Sequence, residues 1–409
     1  MKKVAFGIML ALFLICMLAL AISIKNVKSE PKTIIVPDDY STIQEAIDNA
    51  NAGDTVYVKA GIYYEHVVVN KTLMLIGEIR ETTIIDANGT ATAVEIECSF
   101  VTFKGFTVRN AVAGIYLSER AIQNTVENNL VINNIEGIWI ITAHQMSYGE
   151  NHVIKNNIIA NNVYGLRLSG CEYNAIFQNK IKNNTEVGIM LEVHPTQYPE
   201  RRGSHNNLIF QNVITENKIG IYIVGENNVI YHNNFINNTK NVHVYNITSY
   251  NNFWDNGYPS GGNYWSDYAG VDLYSGPYQN ITGSDGISDT PYIIDENNVD
   301  NYPLMGPFRS FNTSVGYSVD VISNSTIENF QYFESNSTIR MVVSNMTANQ
   351  TTGFCRLTIP HELMAPPYNI TLNNTPIEYD TIFEDETLSI IYFTYQHSPI
   401  EIVIIPEFS

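Results

Sequence analysis

The chain is poor in charge, and the charge it carries is mostly of one sign. Lysine and arginine together number 22 of the 409 residues, against 41 aspartates and glutamates, which gives a formal net charge of −19 at pH 7. No block of basic residues occurs after the N-terminus. Binding to nucleic acid needs clustered lysine and arginine side chains that meet the phosphates, so this composition argues against nucleic acid as a partner.

Cysteine is equally scarce. The four cysteines, Cys16, Cys98, Cys171 and Cys355, show no motif spacing. Three remain if the N-terminal run that contains Cys16 is removed, and an odd number of widely spaced thiols indicates neither a disulfide framework nor a CxxC zinc site.

Long apolar runs are absent except at the N-terminus. Lys2 and Lys3 precede an apolar stretch over residues 4–24. This pattern is typical of an export signal, and about 20 apolar residues also suffice to cross a bilayer, so residues 1–24 are predicted to be a signal peptide or a membrane anchor. In both cases the rest of the chain lies outside the cell, and we expect a secreted or extracellular protein attached to the cell surface. Thirteen Asn-x-Ser/Thr sequons, seven of them beyond residue 310, agree with an exported glycoprotein.

What the chain has in abundance is asparagine, in a repeat. Five asparagines are each followed by asparagine at +5 and +10, and a sixth triplet continues the series. The triplets are Asn124/Asn129/Asn134, Asn151/Asn156/Asn161, Asn174/Asn179/Asn184, Asn207/Asn212/Asn217, Asn228/Asn233/Asn238 and Asn246/Asn251/Asn256. Asparagine tolerates the left-handed backbone of tight turns, and stacked copies form hydrogen-bonded ladders. We predict one column through Asn129, Asn156, Asn179, Asn212 and Asn233.

Apolar residues fill the spaces between the asparagines. Each third asparagine is followed by a Gly-Ile/Leu-x-Ile/Leu segment, which begins at Gly114, Gly137, Gly165, Gly188 and Gly220. Three short strands per repeat, with alternate side chains turned inward, make a continuous core when the repeats stack. The fold predicted for residues 31–308 is therefore a right-handed parallel β-helix.

The two ends of this solenoid have their own patterns. Residues 41–50 predict a short helix, with Ser41 and Gln44 as its capping box, which covers the open N-terminal end of the core. An Asp-rich block, residues 262–305, closes the other end. Residues 309–409 lack the triplets and show short alternating strands, which favour a small β-sandwich.

Two repeats are longer than the others. The extra residues, Thr142–Glu150 and Glu192–Ser204, both follow the Gly-Ile/Leu-x-Ile/Leu strand. They are expected to leave the same corner of the stack, and insertions grouped on one face of a solenoid often carry function.

Several of these segments together resemble a known family. The segments are Thr33-Ile-Ile-Val-Pro-Asp-Asp-Tyr-Ser-Thr-Ile-Gln-Glu-Ala-Ile47, Gly53-Asp-Thr-Val-Tyr-Val58, the Asn-rich coils, Gly262-Asn-Tyr-Trp-Ser-Asp-Tyr268 and Asp285-Gly-Ile-Ser-Asp-Thr-Pro-Tyr292. In this combination, over residues 31–308, the chain is similar to the NosD-like β-helix proteins of archaea. The resemblance implies an exported β-helix, a fold shared with carbohydrate-binding and sugar-hydrolase proteins. The founding member is an accessory protein for copper delivery to nitrous oxide reductase.

Two metal sites are suggested by residue type. Carboxylates spaced among Gly, Asn and Ser suit calcium, which takes six to eight oxygen ligands. The candidate calcium ligands are Asp267, Asp272, Asp285, Asp289 and Asp295. Imidazole and thiolate suit copper, and His144, Cys171 and His194 follow their repeat glycines by seven, six and six residues, which places them on three successive coils.

A surface for glycans is suggested by the outward residues of the Gly-Ile/Leu-x-Ile/Leu strands. Those residues are Tyr116, Trp139, Arg167, Met190 and Tyr222, continued by His243. Aromatic rings can lie against sugar rings, and an arginine can bond hydroxyl or carboxylate groups, so Tyr116, Trp139, Arg167 and Tyr222 are the predicted glycan contacts. Ordinary packing of aromatic residues on strands remains the plain alternative.

Three functions stay open at this point. The leading hypothesis is a non-catalytic protein that binds polysaccharide or cell-envelope glycans, or that has a structural role at the surface. The second is a calcium-dependent polysaccharide lyase or a glycoside hydrolase, with Arg167, Glu172 and Glu192 as candidate catalytic residues near the inserted loops. The third is a copper-handling accessory protein.

Overall fold

The computed structural model describes residues 30–142, 150–194, 203–245, 251–397 and 399–407. Three parallel sheets form the sides of a solenoid, and two antiparallel sheets follow it. This is the predicted all-β architecture, a right-handed parallel β-helix followed by a β-sandwich. The expected signal or anchor, residues 1–24, lies outside the described residues. Within the described ranges, no helix has both the length and the apolar character needed to cross a membrane.

Each of eight complete coils contributes one strand to each of three sheets, and the two ends add one further strand each, β1 Thr33–Val36 to the first sheet and β26 Tyr264–Trp265 to the second. Sheet 1 contains β1 Thr33–Val36, β2 Thr55–Val58, β5 Met74–Gly77, β8 Thr102–Lys104, β11 Thr125–Glu127, β14 Val153–Lys155, β17 Ala175–Phe177, β20 Leu208–Phe210 and β23 Val229–Tyr231. Sheet 2 contains β3 Gly61–Tyr63, β6 Thr83–Asp86, β9 Thr107–Arg109, β12 Leu130–Ile132, β15 Ile158–Ala160, β18 Lys180–Lys182, β21 Val213–Thr215, β24 Asn234–Ile236 and β26 Tyr264–Trp265. Sheet 3 contains β4 Val67–Val69, β7 Val94–Ile96, β10 Ala113–Leu117, β13 Glu136–Ile141, β16 Tyr164–Ser169, β19 Val187–Glu192, β22 Ile219–Ile223 and β25 Lys240–Val244.

The core of the solenoid is a stack of β-branched and leucine side chains. The central residue of each three-residue strand in sheet 1 points inward, and successive coils place Val126, Ile154, Ile176, Ile209 and Ile230 there, all fully buried. Strand alternation gives this pattern because neighbouring side chains leave opposite faces.

Three asparagine ladders run along the corners, as predicted. We call them the first, second and third ladder after the first, +5 and +10 positions of each triplet. One coil differs from the prediction by a residue. The second ladder joins Asn129, Asn157, Asn179, Asn212, Asn233 and Asn263 through Nδ2-to-Oδ1 hydrogen bonds of 2.9–3.1 Å. Asn156, which we placed in this column, is exposed and has a φ of 55°. The prediction for that coil was wrong because Asn156 and Asn157 are both asparagine, and the first takes the left-handed turn position while the second takes the ladder position.

The same shift affects the other ladders. His152 and Asn162, not Asn151 and Asn161, hold the ladder positions of that coil. In the last coil the ladders continue to Asn252 and Asn263, so the triplet that includes Asn251 and Asn256 was also wrong. Asn246 lies outside the described residues.

The glycine of each Gly-Ile/Leu-x-Ile/Leu segment lies against the next coil. A Cβ on Gly165 would stand 2.5 Å from the carbonyl oxygen of Gly188 and 2.9 Å from Nδ2 of Asn184. The absence of a side chain therefore lets the third asparagine ladder approach the start of each sheet 3 strand.

The N-terminal end is covered by the predicted helix, α1 Ile43–Asn49, which buries Ile43, Ala46 and Ile47. Its N-cap is Thr42, one residue later than the predicted Ser41, and the Thr42 hydroxyl accepts from the N–H of Glu45 at 3.1 Å. Both carboxylate oxygens of Glu65 accept N–H groups of the first turn, from Ile43 and Gln44, at 3.0 Å.

The C-terminal end is closed by two short hairpins, β27 Tyr274–Ser275 with β28 Ile281–Thr282, and β29 Tyr292–Ile293 with β30 Val299–Asp300. The buried carboxylate of Asp300 ends the second ladder, accepting from the backbone N–H of Asn263 at 2.8 Å and from Nε1 of Trp265 at 2.9 Å. No further coil follows to accept hydrogen bonds from these two N–H groups, and the aspartate accepts them instead.

The last part of the chain is two five-stranded antiparallel sheets around a separate apolar core. One contains β31 Phe308–Asn312, β32 Ser318–Ile322, β35 Thr352–Pro360, β39 Leu388–Gln396 and β38 Asp380–Glu384. The other contains β33 Ser325–Phe333, β34 Thr338–Asn345, β40 Ile400–Pro406, β36 Tyr368–Leu372 and β37 Thr375–Ile377, with a 3-10 turn at Glu334–Asn336. The sandwich contacts the closing block through buried Arg356, which donates to the carbonyl oxygens of Asp285 and Pro259.

Candidate functional site

The residues that point outward from sheet 3 form a single column. Strand pairing brings Tyr116 next to Trp139, Trp139 next to Arg167, Arg167 next to Met190, Met190 next to Tyr222, and Tyr222 next to His243. We call Tyr116, Trp139, Arg167, Met190, Tyr222 and His243 the outward column. All six side chains are half-buried, so each keeps part of its surface in solvent.

We call Tyr116, Trp139 and Arg167 the lower half of the outward column, and Met190, Tyr222 and His243 its upper half. Trp139 lies at the centre of the lower half. Its ring is tilted by 58° against that of Tyr116, with centroids 5.2 Å apart, and the guanidinium carbon of Arg167 lies 5.0 Å from its centroid. Its indole Nε1 donates to the hydroxyl of Ser169 at 3.0 Å. The hydrogen bond and the cation–π contact together fix the orientation of the ring.

Arg167 is held by two carboxylates on the neighbouring coils. Its Nη1 donates to Oε1 of Glu136 and its Nε to Oε1 of Glu192, both at 2.6 Å. The Ser169 hydroxyl donates to the same oxygen of Glu192 at 2.8 Å. Burial disfavours the charged guanidinium, but the hydrogen bonds and charges of Glu192 and Glu136 outweigh it and raise the pKa of Arg167. The side chain therefore stays a cation and is poorly suited to act as a base.

Glu136 is the residue of this cluster that the sequence analysis missed. It is 8% exposed, and burial raises its pKa, against the opposing effect of Arg167. Its second oxygen, Oε2, is buried and has no hydrogen-bond partner among the described residues. The sequence did contain a signal, because Glu136 precedes Gly137 and so begins the strand that lies beside Arg167.

The upper half of the column is packed differently. The rings of Tyr222 and His243 are stacked, with centroids 5.2 Å apart and planes 11° from parallel. One face of Tyr222 is therefore covered by its neighbour, whereas the rings of Tyr116 and Trp139 are tilted against each other.

A second aromatic column, also missed from the sequence, lies on sheet 1. Phe177, Phe210 and Tyr231 are paired on successive coils and stack at 4.8 Å and 5.6 Å, with planes within 16° of parallel. These rings cover one another's faces in the manner of cross-strand packing. Aligning the third residue of each sheet 1 strand would have revealed them.

The candidate calcium ligands serve as hydrogen-bond acceptors that fold the closing block. Asp272 accepts from the backbone N–H groups of Asp285 and Gly286 at 3.0 Å and 2.8 Å, and burial raises its pKa to about 7. Asp289 accepts in the same way from Leu273 and Tyr274.

The other three carboxylates are also engaged. Asp267 accepts from Nδ2 of Asn241 at 2.8 Å, and Asp295 accepts from Nδ2 of Asn298 at 2.9 Å. Asp285 is buried beside Arg356. Among the residues that the structure describes, no three His, Cys, Asp or Glu side chains are grouped as metal ligands. Calcium binding stays a prediction.

The copper candidates are only partly visible. His144 lies outside the described residues. The thiol of Cys171 is fully buried and donates to the carbonyl oxygen of Ile140 at 3.4 Å, and burial raises its pKa well above the usual range. His194 is buried on the next coil, where its Cβ lies close to Gly170. Copper binding by His144, Cys171 and His194 stays a prediction.

Glu172, the third catalytic candidate, lies at the corner after sheet 3. It forms a parallel bridge with His205, and its backbone N–H donates to Oε2 of the buried Glu150 at 2.6 Å. The described residues that flank the two long insertions follow β13 and β19, as predicted, and residues 143–149 and 195–202 lie outside the described residues.

The three-sided stack with its asparagine ladders defines a parallel β-helix protein. The family described as "Periplasmic copper-binding protein (NosD)" matches residues 47–270, which is more than half of the chain. The chain belongs to this family. A search of curated proteins finds no match.

Several solved structures are similar in fold. A pectin methylesterase from Yersinia enterocolitica is 13% identical, with 51% of this chain and 82% of that one covered and a TM-score of 0.37. A pectin methylesterase from carrot is 15% identical, with coverage of 59% and 88% and a TM-score of 0.36. An alginate lyase from Paenibacillus sp. is 11% identical, with coverage of 57% and 97% and a TM-score of 0.30. Likeness at this level supports no conclusion about activity.

Proposed function

We propose that this protein is an exported β-helix protein that binds glycans without transforming them, through the lower half of the outward column. The observation that carries the proposal is the alignment of Tyr116, Trp139 and Arg167 on three adjacent coils, with each side chain half-exposed. Export is supported by the N-terminal apolar run and by the periplasmic description of the family.

The geometry suits an extended sugar chain that runs along the axis of the solenoid. Successive coils are spaced by about 4.8 Å, so equivalent side chains recur at regular steps along a flat face. The aromatic rings supply apolar surface for the faces of sugar rings, and the guanidinium supplies donors for hydroxyl groups.

The same geometry argues against catalysis by these residues. Arg167 is paired twice and permanently charged. Glu136, whose raised pKa would otherwise favour a role as an acid, has its unpaired oxygen buried away from solvent. A general acid must reach the atom that it protonates, and this oxygen cannot do so without rearrangement of the strand.

A glycan array followed by titration of the best ligand tests the proposal. Replacing Trp139 by alanine should weaken binding roughly tenfold, which corresponds to about 1.4 kcal/mol. Phe210→Ala is the matched control, because it removes an aromatic ring of the column on sheet 1. Absence of any bound glycan for the wild type, or equal weakening by both substitutions, would contradict the proposal. Thermal unfolding of both variants checks that the coils remain intact.

Copper handling is the second candidate, because the family description names copper. The described residues do not assemble a copper site. The test therefore covers the whole corner after sheet 3, where the two long insertions lie in the sequence. Metal analysis of the purified protein, before and after loading with copper, should show stoichiometric copper that His144→Ala and His194→Ala reduce if this function holds. The same analysis measures calcium, and Asp289→Asn serves as the variant for the closing block.

A further inference from the structure

Sheet 3 carries more negative than positive charge where the proposed glycan site lies. Its described strands contain Glu95, Glu136 and Glu192 against Arg167 and Lys240. Lys240 begins the last strand of the sheet, and Glu95 is paired with Tyr116 at the lower end of the column. Around Trp139, the only positive side chain of the sheet is Arg167.

That arginine already forms ion pairs with two carboxylates. Glu136 and Glu192 each accept a hydrogen bond of 2.6 Å from it, so the three side chains together carry a net charge of −1. Hydrogen bonds between arginine and carboxylate are strong, so a carboxylate of a ligand could take the place of Glu136 or Glu192 only by displacing it. Displacement of Glu136 would leave a buried carboxylate without its cation, which is strongly unfavourable.

One donor group of Arg167 remains. Its Nη2 makes no hydrogen bond to the described residues, whereas Nε and Nη1 are both occupied. A neutral hydroxyl group can accept from Nη2 without bringing charge into the cluster. An anionic group at the same place would meet Glu136 and Glu192 at short range.

We propose that the outward column selects uncharged glycans and discriminates against polyuronates, because Glu136 and Glu192 neutralise Arg167, the one arginine or lysine beside Trp139 in the strands of sheet 3. This inference rests on the proposed glycan binding and adds the class of ligand. The overall charge of −19 acts in the same direction at long range.

The experiment compares uncharged oligosaccharides, taken from the best array ligands, with oligogalacturonate and oligoalginate at low and high ionic strength. The wild type should bind the uncharged ligand and show no measurable affinity for either uronate. Glu192→Gln brings the cluster to zero net charge, and Glu136→Gln/Glu192→Gln brings it to +1. The double variant should gain affinity for uronates on the order of tenfold at low ionic strength, and the gain should shrink with added salt.

Glu401→Gln is the matched control. Glu401 pairs with Arg340 in the sandwich, so this substitution also frees an arginine, but away from the column. If the double variant does not fold, the single variant Glu192→Gln decides, since the partner it removes is the less buried of the two.

The possible failures are distinguishable. Wild-type protein that binds no glycan of any class overturns the proposed function and the inference together. Wild-type protein that binds uronates at least as tightly as uncharged ligands overturns the inference alone, and so does a variant that gains no more uronate affinity than Glu401→Gln.

Discussion

The backbone N–H of Asn124 donates to Nδ1 of His152 over 3.2 Å, where the other described coils of that ladder offer an asparagine oxygen. Because Nδ1 is used as an acceptor, His152 must be neutral in the folded state. Two steps further along the ladder, by comparison, Asn174 donates to Asn207 with both its backbone N–H and its Nδ2. Asn124 has no such second bond, and its Nδ2 is buried without a hydrogen-bond partner in the described structure.

His152→Asn should therefore stabilise the protein at neutral pH by about 1–3 kcal/mol, because asparagine can accept from Nδ2 of Asn124. Chemical denaturation of the wild type and the variant measures the difference. His66→Asn, at an exposed histidine, is the control and should change little.

The same substitution should alter the pH dependence of stability. Burial lowers the pKa of His152 from 6.5 to about 3. The unfolded chain takes up a proton below pH 6.5 while the folded chain does not, so this residue's contribution is complete above pH 6.5 and is lost as the pH falls towards 3. The advantage of His152→Asn over the wild type should grow by roughly 1.4 kcal/mol per pH unit in that window. If the stability difference between the variant and the wild type stayed constant between pH 7 and 4, the prediction would be wrong, because His152 would then take up its proton equally in the folded and the unfolded chain.

The register of the second ladder can be tested in the one coil where two asparagines compete. Asn157→Ala should lower the free energy of unfolding by about 2–4 kcal/mol, because the N–H and Nδ2 of Asn129 lose their shared acceptor inside the protein. Asn156→Gly should be neutral or slightly stabilising, since glycine adopts the left-handed φ of 55° without strain. If urea denaturation showed Asn156→Gly to be the more destabilising of the two variants, Asn156 would hold the ladder position, as expected from the sequence.

The close approach of neighbouring coils predicts a strong effect at Gly165. Replacement by alanine would place Cβ 2.5 Å from the carbonyl oxygen of Gly188, so the coils must separate, and we expect a loss of several kcal/mol. Gly61→Ala is the control, because the nearest atom to its Cβ is 3.4 Å away, on the side chain of Tyr63. Equal melting temperatures for the two variants would argue against the tight contact.

Much of this architecture follows from sequence periodicity. The glycine alignment alone placed Tyr116, Trp139 and Arg167 on adjacent coils, because each strand of sheet 3 starts at an equivalent position. Periodicity failed where two neighbouring residues satisfied the same pattern, as at Asn156 and Asn157. In that coil the register is set by which apolar residues point into the core. Ile154 and Ile159 do so, but Val153 and Ile158 fit the apolar pattern of the sequence nearly as well.

The chemistry of the site was harder to predict than its position. Arg167 was expected to face a ligand, but whether it is free or paired depends on side chains from three coils. Glu192 lies on the coil after Arg167 and Glu136 on the coil before it. The sequence distances from Arg167 are 25 and 31 residues, and no local motif connects them. Asp300 is a similar case, because its role as the end of a ladder appears only when the closing block is folded back onto Asn263.

The ladders have a consequence for how such a protein can change in length. From the coil of Asn129 onwards, neighbouring coils meet through the same asparagine side-chain hydrogen bonds and the same kind of aliphatic contact, whereas α1 and Asp300 lie at the ends of the solenoid. A whole coil could therefore be duplicated or deleted in the middle without a new kind of junction. The outward column would then lengthen or shorten by one fixed step at a time, while both terminal covers stayed unchanged.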